Sequence, residues 1–214
     1  MGRREALSLN IIAACLEMNR SGLNQGKSGN ISCRFKQGCL ITPSGISYEE
    51  LEPEDIVWLG FDGTVEGTRR PSSEWRMHLD IYRRVRSAKA VVHAHPAYAT
   101  ALACQHREIP PFHYMVAVAG GQNIRCAPYA TFGTAELSDN MLQALKGRSA
   151  CLLANHGMIA YGKNLADAMW RAGEVEALAK QYHLSLTSGE PVLLTVQQIK
   201  QALTQFKDYG KQPK

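Results

Sequence analysis

The stretch Val91-Val92-His93-Ala94-His95-Pro96 constrains this chain more than any other. A β-branched run that a proline stops reads as a short strand, and side chains two apart on a strand leave the same face. His93 and His95 therefore project together from a rigid support, as two metal ligands must. Neutral imidazole is the commonest protein ligand for zinc, and a strand holds two ring nitrogens apart without loop entropy. The competing reading is a pair of half-buried histidines bonded to neighbouring backbone.

A chain of 214 residues, 45% hydrophobic and 20% charged, buries one core and is short for two, so a single domain over residues 1–214 is expected. Lys and Arg number 24 against 19 Asp and Glu, a formal +5. The basic residues are scattered singly or in pairs such as Arg69-Arg70 and Arg83-Arg84, so no stripe tracks a nucleic acid. A small anionic substrate suits this excess as well as a polyanion does. The cysteines (Cys15, Cys33, Cys39, Cys104, Cys126, Cys151) lie far apart with no Cys-x-x-Cys, and read as reduced, mostly core thiols. Ile11 to Leu16 is too short to span a membrane or serve as a signal core, so a cytoplasmic protein with no membrane contact is expected.

Along the chain, Leu7, Ile11, Ala14, Cys15 and Met18 recur at helical steps from Arg4 to Ser21. Asn24 to Gly29, glycine-rich and polar, leads into an alternating strand. Such a loop lets backbone N–H groups approach an anion, or is an ordinary turn. Leu40 to Ile46 repeats the theme as a short strand and a Pro43-Ser44-Gly45 turn. Glu49 to Glu54 reads as a surface turn of helix, and Ile56 to Phe61 as a strand with Asp62-Gly63 turning it into a hairpin. Pro71-Ser72-Ser73-Glu74 opens a helix with Trp75, Leu79, Tyr82 and Val85 on its apolar face. Serines there cap free N–H groups or receive phosphate, and Glu74 is equally placed for the helix dipole.

Beyond His95, Tyr98 to Cys104 reads as helix and Ile109 to Met115 as an extended, proline-stiffened segment. Ala127 to Thr134 reads as an exposed loop, Glu136 to Leu145 as helix, and Ala150 to Ala154 as a buried strand that delivers Asn155-His156-Gly157. Two last helices carry core faces, Leu165 to Tyr182 and Val196 to Phe206. No repeat or linker interrupts the chain.

His93, His95, His156 and Glu74 thus stand out as candidate ligands, and three histidines with a carboxylate suit zinc. His78, one turn beyond Glu74, is a rival. His106, His113 and His183 lack a comparable setting.

The order of motifs resembles the zinc-dependent class II aldolase and pentulose-phosphate epimerase superfamily, most closely its L-fuculose-1-phosphate aldolase branch. The likeness runs nearly end to end: Gly22-Leu23-Asn24-Gln25-Gly26, Gly29-Asn30, Leu40 to Ile46, Pro71 to Arg76, His93-Ala94-His95, His113-Tyr114-Met115, Ala127 to Thr134, Asn155-His156-Gly157 and Phe206 to Gly210. It implies a three-layer α/β/α sandwich on a mostly antiparallel sheet of about nine strands, and a cyclic homotetramer with active sites between subunits. It implies that Glu74, His93, His95 and His156 hold one Zn2+ per subunit, and that Asn30, Ser44, Gly45, Ser72 and Ser73 hold the substrate phosphate.

The implied reaction cleaves a ketose 1-phosphate between C3 and C4 to dihydroxyacetone phosphate and an aldehyde such as L-lactaldehyde, with zinc stabilising the enediolate as a Lewis acid. Glu74 is then both ligand and acid/base, Tyr114 of a neighbouring subunit handles the C4-oxygen proton, and Phe132 and Tyr209 shape the aldehyde end. Lys27 departs from the pattern, where a small or hydroxyl residue is expected; it adds charge to the phosphate site or points to solvent. Two other readings stay open. Within the superfamily the chain is a 4-epimerase, dehydratase or decarboxylase, although the epimerases carry a Gly-Thr-Thr-His stretch where this chain has His113-Tyr114-Met115. Outside enzymes, it is a binding protein with structural zinc, which the absence of cysteine among the candidate ligands disfavours.

Overall fold

The computed structural model describes residues 2–206. Eight strands among them form one sheet in the order β4-β3-β2-β1-β5-β8-β7-β6. In chain order they are β1 (Asn30–Phe35), β2 (Gly38–Ile41), β3 (Val57–Gly60), β4 (Val65–Glu66), β5 (Ala90–Ala94), β6 (Cys126–Ala127), β7 (Ala150–Leu153) and β8 (Gly157–Gly162). Every pairing is antiparallel except β6 on β7. The mostly antiparallel α/β expectation is met, with eight described strands against about nine.

Alternation along the strands divides the core in two. Ile31, Cys33, Leu40, Ala90, Val92, Leu152, Met158 and Ala160 face helices α1 (Arg3–Arg20), α3 (Ala97–Cys104) and α5 (Leu165–Thr187). Cys39, Ile41, Val57, Leu59, Val91, Cys151, Leu153 and Ile159 face α2 (Trp75–Arg84) and α4 (Ala135–Ala144). Each fully buried aliphatic side chain contributes about 1.5–3 kcal/mol, so this two-faced burial sets the register of every central strand.

Several expectations need correction. Glu49 to Glu54 is not one helical turn but two 3-10 turns, Tyr48–Glu50 and Pro53–Asp55, because Pro53 restarts the backbone. The extended segment stops at His113: its ring accepts from the Met115 N–H and caps a 3-10 helix, Tyr114–Ala119, which Gly120 ends at φ 92°. The last helix, α6 (Val196–Phe206), buries only Ile199 and leaves Val196 56% exposed, so it has no core face of the expected width. Strand β8 has no counterpart in the sequence reading, and neither has β6, which buries Ala127 where an exposed loop is expected.

Candidate metal centre and catalytic cleft

β5 sits at the middle of the sheet, between β1 and β8, and places His93 on the α2 side. His95 follows the strand end, and His156 occupies the turn between β7 and β8. Glu74 is the residue immediately before α2. One ligand atom from each of these four lies within 4.8 Å of the others, so the structure gathers the sequence candidates and leaves His78 out of the cluster.

Glycine makes two of these approaches possible. A Cβ on Gly157 would sit 2.5 Å from the Ala94 carbonyl oxygen and 2.6 Å from His95 Cδ2. A Cβ on Gly29 would sit 2.8 Å from the His93 carbonyl oxygen.

His93 Nδ1 lies 2.8 Å from the Met158 carbonyl, which can only accept. The proton is therefore on Nδ1, and the Nε2 lone pair of the neutral ring points into the cluster. His93 Nε2 lies 2.9 Å from Glu74 Oε2, and His156 Nε2 3.0 Å from Glu74 Oε1. Lone pairs at such separations need a cation between them, a proton or a metal ion. Among the described residues, buried His93 Nε2, His95 Nε2 and Glu74 Oε1 moreover lack any hydrogen-bond partner of sound geometry, although buried polar atoms are almost always satisfied. The donor set fits a divalent metal of the zinc type.

The charges agree. Burial works against the ionised Glu74, but the His93 and His156 imidazoles overcome it and hold the carboxyl well below its usual range. Burial also opposes a charged His93, and there the adjacent Glu74 carboxylate prevails and raises the ring. His95 is pushed down to about 3 by burial and by the neighbouring imidazoles, leaving it neutral with a lone pair to give.

A cavity of about 310 Å³ opens over the cluster, lined by Ser28, Ser73, Glu74, His95, Tyr129, Ala130, Phe132, Asn155 and His156. Three loops converge nearby. The Ser44 N–H donates to the Arg70 carbonyl and the Ser72 N–H to the Thr42 carbonyl, which pins Ser44-Gly45 beside Ser72-Ser73. Lys27 Nζ donates to the Gly45 carbonyl at 2.9 Å, so the residue that departs from the pattern ties the first loop to the second. Ser72 Oγ accepts from the Glu74 N–H. Asn30 is engaged from both ends, its Nδ2 donating to Glu74 Oε2 at 3.1 Å and its Oδ1 2.6 Å from His78 Nε2.

Tyr114 lies elsewhere: it is 53% exposed, stacks on Phe206 at 6.2 Å, and lines a separate cavity with Met115, Ala202, Gln205 and Phe206. Tyr209 falls outside the described residues.

The chain matches the class II aldolase and adducin N-terminal domain family over residues 9–183. It belongs to the class II aldolase family. A 5-methylthioribulose-1-phosphate/5-deoxyribulose-1-phosphate aldolase of Rhodospirillum rubrum is 50% identical over 209 residues, covering 98% of this chain and 95% of its own length. L-fuculose phosphate aldolase of Escherichia coli K12 is 50% identical over 208 residues, covering 97% of each chain. A solved L-fuculose 1-phosphate aldolase superposes with a TM-score of 0.93 at 42% identity, over 96% of this chain and all of that one. This class II aldolase is therefore a lyase, with a metal-type cluster at the end of the central strand β5.

Some contributors at the aldolase cleft escaped sequence reasoning. Tyr129 and Asn155 stood inside motifs already noted, but nothing in their spacing aimed them at the cavity. Asn155 takes φ 52°, and its Oδ1 lies 2.6 Å from Nε2 of His106, itself at φ 53°. Met158 acts through its carbonyl, which a side-chain search passes over; the apolar run from Gly157 to Gly162 was the available signal.

Proposed function

We propose that this aldolase uses zinc to cleave a ketose 1-phosphate, L-fuculose 1-phosphate or a related deoxy-ketose 1-phosphate, reversibly to dihydroxyacetone phosphate and an aldehyde such as L-lactaldehyde. The observation that carries the reading is the cluster of Glu74, His93, His95 and His156 with its unpartnered buried atoms. The two relatives above, one named as an aldolase of ribulose 1-phosphate derivatives and the other as an L-fuculose phosphate aldolase, support the substrate class.

Glu74, His93, His95 and His156 would hold the metal, which when bound supplies Lewis-acid stabilisation of negative charge. The loops at Asn30, Ser44-Gly45 and Ser72-Ser73 anchor the phosphate through hydroxyls and backbone N–H groups. Tyr114, reaching from a neighbouring subunit of a cyclic homotetramer, takes the proton of the C4 hydroxyl while releasing its own phenolic proton to solvent, as the C3–C4 bond breaks and its electron pair stays on C3. Glu74, once it has taken up a proton from solvent, delivers it to C3, and dihydroxyacetone phosphate departs. Phe132, 63% exposed at the cavity, bounds the aldehyde end, and Tyr209 completes it from the C-terminal segment.

Product analysis with ketose 1-phosphates and ketose 5-phosphates tests the reading. Dihydroxyacetone phosphate and free aldehyde are expected from the former. A ketose 5-phosphate epimerised with no aldehyde released, or loss of water or carbon dioxide instead of aldol cleavage, would overturn it.

A further inference from the structure

Helix α2 and strand β1 share a buried polar seam that ends on the metal cluster. Glu74, His78 and Tyr82 step by four residues along one helix face, while Asn30 and Ser32 leave the same face of the strand. All five are buried. Four side-chain contacts join them: Glu74 Oε2 to Asn30 Nδ2 at 3.1 Å, Asn30 Oδ1 to His78 Nε2 at 2.6 Å, His78 Nδ1 to Ser32 Oγ at 2.7 Å, and Ser32 Oγ to the Tyr82 hydroxyl at 2.9 Å.

The chemistry at one end orders every proton in the series. An ionised carboxylate only accepts, so Asn30 must turn its NH2 to Glu74 and its carbonyl to His78. His78 Nε2 must then carry the proton and donate, which leaves Nδ1 to accept from the Ser32 hydroxyl. The Tyr82 hydroxyl closes the seam: it donates to the Ser32 backbone carbonyl at 2.9 Å, with Ser32 Oγ at the same distance from the phenol oxygen. The alternative Asn30 orientation would set a carbonyl oxygen against the carboxylate in a desolvated site, two acceptors with no proton between them.

We propose that His78 is a positioning residue for Glu74, acting through the Asn30 amide: its Nε2–H locks the amide in the one orientation that holds Glu74 Oε2 in place. The inference rests on the acid/base role proposed for Glu74. It gives a role to a fully buried histidine that does not line the cavity over the cluster.

The test compares His78→Leu, which removes the donor, with His78→Gln, whose amide nitrogen reaches about as far as imidazole Nε2. Zinc content, KM and turnover for the ketose 1-phosphate, and solvent exchange of a carbon-bound proton of dihydroxyacetone phosphate are read on the zinc-loaded protein. His78→Leu is expected to keep its zinc and KM and to lose about 10- to 100-fold in both turnover and proton exchange, the usual effect of a residue that orients a metal ligand. His78→Gln should recover most of both. Should His78→Leu fail to fold, His78→Asn, whose nitrogen is too short to reach Asn30, makes the same comparison.

Unchanged turnover per folded molecule without the donor, or equal loss in His78→Gln, would overturn the inference. A Glu74→Gln control separates the two ideas. If that variant stays active, the Glu74 role fails; if it is inactive while His78→Leu is not, only the role of His78 fails.

Discussion

Glu74 carries three demands that would conflict on most side chains. It supplies a ligand oxygen to the cluster, accepts from Asn30, and in the proposed reaction moves a proton. Two carboxylate oxygens with about four lone-pair positions can meet these in turn, and the neighbouring His93 and His156 imidazoles favour the ionised form that ligation and the Asn30 contact need. Glu74→Gln keeps the shape and one acceptor but cannot shuttle a proton. It is expected to retain most of its zinc through His93, His95 and His156 and to lose about 10²- to 10⁴-fold in aldol cleavage. Metal analysis beside turnover decides this, and parallel loss of zinc and activity would reduce Glu74 to a ligand.

Among the elements, the pairing of β5 with β8 bears most directly on the site. It supplies the Met158 carbonyl that orients His93, and it requires Gly157 where the strands close on His95. In Gly157→Ala the added methyl meets backbone at 2.5 Å and the His95 ring at 2.6 Å, so strand or imidazole must move. The expected result is a stability loss of about 1–3 kcal/mol in denaturant unfolding, with weakened metal binding in a chelator competition. An unchanged zinc affinity would mean that the shift is absorbed away from His95. The α2–β1 seam is the complementary element pair, fixing Glu74 from the opposite side.

For the whole molecule, the decisive feature is that Tyr114 lines a different cavity from Glu74, His95 and His156 of its own chain. The proposed mechanism therefore places an intact cleft only where two copies meet. Tyr114→Phe should keep zinc and dihydroxyacetone-phosphate proton exchange while cleavage falls about 10²- to 10⁴-fold. Mixing Tyr114→Phe subunits with His93→Ala subunits, each inactive alone, should restore activity at interfaces that join an intact zinc site to an intact tyrosine. Mixed tetramers as inactive as their parents would count against a shared site.

Period and punctuation in the sequence determined most of the elements. The strand that carries His93 and ends just before His95, the helix after Pro71, the Asp62-Gly63 hairpin and the strand before His156 depend on side-chain alternation and turn chemistry within a few residues, so they are readable locally. The four members of the cluster were legible by residue type, and the order of motifs pointed to their grouping. Tertiary structure alone decided which nitrogen of His93 faces the cluster, because that depends on a carbonyl 65 residues away. It alone joined His78 to Glu74 through Asn30, a residue 44 positions from Glu74. It also turned Tyr114 into a 3-10 helix and left α6 largely exposed, since burial is a property of what a face meets and periodicity records only that the face exists.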